Sequence, residues 1–139
     1  MRIEIEGTST YAYTGARAFD PALPTVVFVH GAAHDHSVWA LQSRYFAHHR
    51  RNVLAVDLPG HGRSGGEPLA SVEAIGEWLT ALLDAARIEH AALVGHSLGA
   101  LAVLEAAGRH PERVENIALL GPAVPMPVAD ALLDAAKAD

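Results

Sequence analysis

A serine set between glycines, Gly95-His96-Ser97-Leu98-Gly99, is the group in this chain best suited to covalent chemistry. The pattern G-x-S-x-G follows an apolar run, Ala91–Val94, and leads into a helix-like run, Leu98–Arg109. A strand, a tight turn and a helix in that order lift a side chain clear of the backbone. The flanking glycines leave room where a Cβ would collide with a neighbouring strand or helix. A hydroxyl held in this way can attack an acyl carbon, and Ser97 is the candidate nucleophile. Leu98 opens the helix, whose positive end favours the negative charge such an attack develops.

The other chemistry-bearing residues sit in loops. His34-Asp35-His36 offers imidazole and carboxylate groups, but alternate residues in a loop are not a preformed metal site. No metal is expected there; His34 and His36 are expected at a pocket mouth or in solvent. His30 and His96 flank the candidate positions, and local hydrogen bonding that holds the loops is the expected role of each. Asp57 is expected to organise the loop behind Val53–Val56. Gly60-His61-Gly62-Arg63-Ser64-Gly65 matches G-x-G-x-x-G, yet Gly66-Glu67-Pro68 follows where a dinucleotide fingerprint needs a helix. No cofactor is expected.

These residues need elements to position them. Residues 2–14 read as two short alternating strands around Gly7, with Ile3 and Ile5, then Tyr11 and Tyr13, on their faces. Val26–Val29 and Val53–Val56 are continuous apolar runs, typical of strands buried on both faces. Helices are predicted from Val38 to about His49 and from Val72 to Ala86, the second capped by Ser71. Val72, Ile75, Trp78, Leu79, Leu82 and Leu83 share one stripe of that second helix. Ala91–Val94 is a strand, Leu98–Arg109 a helix stopped at His110-Pro111, and Ile117–Leu120 the last strand. Val128–Lys137 is helix-like, with Leu132 and Leu133 on its apolar side. Trp39, Tyr45, Phe46 and Trp78 are expected in the core. Buried strands alternating with helices predict an α/β fold: a mostly parallel sheet with helices on both faces. Loops 30–37, 57–66 and 95–99 then fall at the C-terminal strand ends, where such sheets carry ligand sites.

Composition narrows the function classes. The chain has 139 residues, 50% hydrophobic, enough for one domain with a core. Its net charge of −6 disfavours nucleic acid as a partner. It has no cysteine, hence no disulfide framework and no thiolate zinc site. No apolar run approaches the ~18 residues of a membrane span, and the start lacks a signal-peptide core, so a cytoplasmic location is the default expectation.

Together, His30-Gly31, Asp57-Leu58-Pro59-Gly60-His61-Gly62-Arg63-Ser64, the Gly95–Gly99 elbow and Pro111-Glu112-Arg113-Val114 resemble the α/β-hydrolase fold family over roughly residues 26–123. The resemblance implies that Ser97 is the nucleophile of an esterase-like hydrolase acting on a small-molecule acyl substrate. It implies an oxyanion hole made by the backbone N–H groups of Ala32 and Leu98, supported by His30, Gly31, His36, Asp57 and His96. It also implies a triad running serine, acid, histidine. After Ser97 the only histidine is His110, and twelve helical residues place it ~18 Å away. Asp130 and Asp134 lie on the last helix-like segment rather than at a strand end. No triad can therefore be assigned within the chain. Residues 1–127 correspond to the first part of the family core, ending after its sixth strand, and residues 128–139 to the start of a lid helix. On this reading Ile117–Leu120 is an open sheet edge. Self-association or pairing with a complementary C-terminal half is then expected. The alternative is a catalytically dead binding or assembly module with the same fold.

Overall fold

The computed structural model describes residues 1–125, 127 and 129–138, and of Leu132, Leu133 and Ala136 the backbone alone. Ten elements are wound as β1 (Arg2–Ile5), β2 (Thr8–Tyr13), β3 (Thr25–Val29), α1 (Ala40–His48), β4 (Asn52–Val56), α2 (Val72–Ala85), β5 (Ala91–His96), α3 (Leu98–Arg109), β6 (Val114–Leu120) and α4 (Asp130–Ala138). The six strands form one sheet in the order β1-β2-β4-β3-β5-β6. β1 and β2 are antiparallel neighbours, and β2 also runs antiparallel to β4. The remaining pairs, β4·β3, β3·β5 and β5·β6, are parallel.

All five residues of β3 and of β4 are buried, as expected of strands covered on both faces. Alternation decides which helix each side chain meets. Val27, Val29, Leu54, Val56 and Leu93 face α2 and α3, where Ile75, Leu79, Leu82, Leu83, Val103 and Ala106 complete one core. Val26, Phe28, Val53 and Ala55 face α1, with Trp39 and Ala47. Burying a leucine such as Leu82 contributes about 1.5–3 kcal/mol. The hydroxyl of Ser71 accepts the Ala74 N–H and fixes where α2 starts. Trp39 Nε1 and Ser43 Oγ, buried on the α1 side, have no hydrogen-bond partner among the described residues.

Several boundaries differ from the sequence reading. The predicted helix from Val38 to His49 is a 3-10 turn, His36–Trp39, followed by α1, because the Asp35 carboxylate accepts the Ser37 N–H and starts the turn early. Ala86 caps α2 rather than continuing it, and β5 runs on to His96. β6 begins at Val114, three residues before Ile117; Glu115 and Asn116 are polar, but ladder pairing of Val114 with Ala91 and Asn116 with Ala92 makes this stretch strand. Tyr45 is 58% exposed and is not a core residue; Trp39 and Phe46 supply the aromatic packing on Phe28. Val128, the predicted start of the last helix, and the side chains of Leu132 and Leu133 lie outside the described residues. β6 forms one edge of the sheet, and its Ile117 and Leu120 are each about two fifths exposed.

Candidate active site

Ser97 joins β5 to α3 with φ 54° and ψ −117°, a backbone conformation that costs a non-glycine residue on the order of 1–3 kcal/mol. Close packing on both sides holds it there. A Cβ on Gly95 would overlap the Gly99 carbonyl, and one on Gly99 would overlap the Val29 carbonyl that ends β3 and the His30 carbonyl after it. The Ser97 N–H donates to the Leu120 carbonyl at 2.9 Å, so β6 supports the elbow from the other side.

The loop after β3 lies directly against this turn. An ideal Cβ on Gly31 would stand 3.2 Å from Ser97 Cβ, 3.2 Å from His96 Nδ1 and 3.4 Å from His34 Nδ1. Ala32, the next residue, is exposed, and its N–H has no acceptor among the described residues. Leu98 is the first residue of α3, a position whose N–H has no intrahelical acceptor. Ala32 thus follows the glycine that packs against Ser97, and Leu98 opens the helix directly after it.

His30 is fully buried and locked as a neutral tautomer. Its Nδ1–H donates to the Gly31 carbonyl at 2.7 Å, and its Nε2 accepts the Leu58 N–H at 3.0 Å. Burial pushes its pKa below the ordinary imidazole value, against a smaller upward pull from the Gly31 hydrogen bond. With both nitrogens engaged it ties the end of β3 to the loop after β4 and is no base for Ser97.

Asp57, also fully buried, is the second tie. Its Oδ1 accepts the His36 N–H at 2.6 Å and the His36 ring Nδ1 at 2.8 Å. Its Oδ2 accepts the Arg63 N–H at 2.8 Å. The Asp57 carbonyl accepts the Ser64 hydroxyl, whose oxygen in turn accepts the Tyr11 N–H. Gly62 sits so close to the carboxylate that a Cβ there would overlap it. One carboxylate therefore fastens both loop 30–37 and loop 57–66.

The two loop histidines, expected together at a pocket mouth or in solvent, divide. His36 turns toward β2, with its ring edge-on to Tyr11 at 4.8 Å and bonded to Asp57. It is a brace. His34 faces the elbow, its ring centroid 6.1 Å from that of His96. No one-dimensional signal separates residues two apart in a loop; the separation comes from Asp57 capturing one of them. Asp35, His36 and Asp57 bring three ligand atoms within 4.8 Å of one another. Those oxygens already accept N–H groups that shape the loops, from His36 and Arg63 on Asp57 and from Ser37 on Asp35. His110, at the far end of α3, pairs with Glu77 at 3.1 Å and takes no part in the site.

A central parallel sheet, helices on both faces and a strained serine between a strand and a helix N-terminus define a class, and the class is matched by sequence. The family described as alpha/beta hydrolase fold matches residues 24–139, and the chain belongs to it. Among curated proteins it is 38% identical over 99 residues to the dihydrolipoyllysine-residue acetyltransferase component of the acetoin cleaving system of Pseudomonas putida, covering 70% of this chain and 26% of that protein. It is 39% identical over 100 residues to the pimeloyl-[acyl-carrier protein] methyl ester esterase of Aeromonas hydrophila, covering 68% of this chain and 36% of that protein. The crystal structure of epoxide hydrolase A from Mycobacterium thermoresistibile superposes with a TM-score of 0.78 at 30% identity, covering 99% of this chain and 43% of that one. The chain thus spans less than half the length of these relatives.

Proposed function

We propose that this chain carries the nucleophile-bearing part of a serine hydrolase acting on an ester or similar acyl bond. The observation that supports this most is Ser97 itself, held in a costly backbone conformation at a helix N-terminus with the Gly31 loop packed against it. In the proposed reaction Ser97 Oγ attacks the acyl carbon as a general base takes its proton, the C–O bond to the alcohol breaks and the alcohol leaves with that proton, and water then releases the acid from the acyl-serine. The N–H groups of Ala32 and Leu98 receive the oxyanion, and His30 and Asp57 keep the Ala32 loop at the right distance. The hydrolases among the relatives, an esterase and an epoxide hydrolase, agree with hydrolytic chemistry at this class of site. The base and the acid that would complete a triad are not assigned among the described residues.

The second reading is a binding or assembly module that keeps the fold without the reaction. A fluorophosphonate probe separates the two. Under the hydrolase reading it forms an adduct that peptide mass spectrometry maps to Ser97 and that Ser97→Ala abolishes. No adduct at Ser97, under conditions where the chain is folded, would leave the binding module. Under the same proposal the exposed edge of β6 is where the sheet continues, by pairing with a complementary half or with a second copy.

A further inference from the structure

At the end of the sheet opposite Ser97, the loop leading into β3 and the α1–β4 connection border an open cavity of about 690 Å3. Arg17, Arg50 and Arg51 all line it, in a chain whose net charge is −6. None of the three has a carboxylate within 4.0 Å among the described residues. Two other arginines are paired with carboxylates. Arg109 pairs with Glu77 and Glu105, and Arg113 pairs with Asp84 and donates to the Ile88 and Glu89 carbonyls.

Capping of α1 does not account for the cluster. The carbonyls at the end of that helix are met by the His49 N–H, the His49 ring and the Arg51 N–H, and by no guanidinium. Arg17 instead donates to His48 Nδ1 at 3.1 Å, which fixes its fork on the cavity rim. The acid in the lining, Asp20, turns its Oδ1 to the Ala22 N–H. Between the cations the wall is apolar, with Ala16, Ala18, Leu23 and Ala47.

We propose that this cavity binds the phosphoryl group of a small phosphate monoester with an apolar body, at a site separate from Ser97. Guanidinium forks match phosphate oxygens bidentately, and three of them, from two loops, line this one cavity. The volume lies in the range of small-molecule sites. A single anionic head suits the rim better than a polyanion, because Asp20 repels a second one.

Phenyl phosphate is the probe, followed by 31P NMR on the full chain at constant ionic strength. Saturable broadening with a submillimolar Kd is expected, tighter than for inorganic phosphate. Arg17→Gln and Arg51→Gln should each weaken it at least threefold, and the pair at least tenfold. Arg87→Gln is the control, since Arg87 occupies the same positive-φ position after α2 that Arg50 occupies after α1, away from this cavity. Phenylglyoxal modification of the unsubstituted chain gives a readout that needs no variant: phenyl phosphate should protect Arg17, Arg50 and Arg51 and leave Arg87 unprotected. Broadening that does not saturate, an equal loss in Arg87→Gln, or modification of the three arginines at an unchanged rate would each overturn the proposal.

Discussion

Replacing Asp57 tests whether one buried carboxylate holds the candidate site together. It receives three hydrogen bonds, from the His36 N–H, the His36 ring and the Arg63 N–H, at 2.6–2.8 Å. A hydrogen bond to a charged group contributes roughly 1.5–3 kcal/mol, and removing one partner strands the others. The His36 side chain is 15% exposed, so its ring bond counts toward the low end. Asp57→Ala should therefore cost about 4 kcal/mol, a large share of the 5–15 kcal/mol of a typical domain. Asp57→Asn keeps one acceptor oxygen and should cost about 2 kcal/mol. His36→Ala removes only the ring bond and should cost about 1 kcal/mol. In the double variant that loss should vanish, because the ring has no carboxylate left to engage. Urea unfolding followed by the fluorescence of the two tryptophans, at one fixed protein concentration, measures all four. An Asp57→Ala cost below about 1 kcal/mol, or strict additivity with His36→Ala, would refute the reasoning.

Four other outcomes are expected. Ser97→Gly should be more stable than Ser97→Ala by about 1 kcal/mol, since both lose the hydroxyl and only glycine relieves the positive φ; equal urea midpoints would show that the backbone is not strained. Because the folded chain holds His30 neutral with a lowered pKa, protonation below about pH 6.5 favours the unfolded state, and stability should fall as pH drops from 6.5 through the lowered folded value. A His30→Asn variant, less stable throughout, should show a flatter slope between pH 7 and pH 5; an unchanged slope would place the titration elsewhere. With no base assigned to Ser97, p-nitrophenyl acetate should be turned over only at the residual rate that an oxyanion hole alone supports, and robust turnover lost in Ser97→Ala would direct the search to His34. Sedimentation at micromolar concentration should show association through the β6 edge; a single monomeric species that binds no apolar dye would contradict that.

The fold was legible where local pattern and tertiary demand agree. Val26–Val29 and Val53–Val56 are apolar without interruption because both faces of those strands are covered, and they run as β3 and β4 within a residue of the expected bounds. The elbow was legible because its glycines answer to contacts that tolerate nothing larger. Val114–Asn116 was not, since its strand character comes from pairing with β5 rather than from its own side chains. The separate fates of His34 and His36 were hidden for a related reason: they depend on where Asp57, twenty-one residues from His36, places its oxygens. The arginine cavity gave no signal at all, because Arg17 and Arg51 are brought together only by the return of the chain from α1 to β4.

The seat of Gly99 on the carbonyls at the end of β3 also makes Ser97 a clock. Residues 29 and 99 are far apart in the chain, and closing that loop is among the slower contacts a sheet of this kind must make. Until β5 docks beside β3, Ser97 has neither its raised position nor the Gly31 loop against it. Under the proposed function, reactivity at this hydroxyl would date the moment the central strands assemble, and chains that collapse onto α2 without that docking would stay chemically silent however much helix they contain.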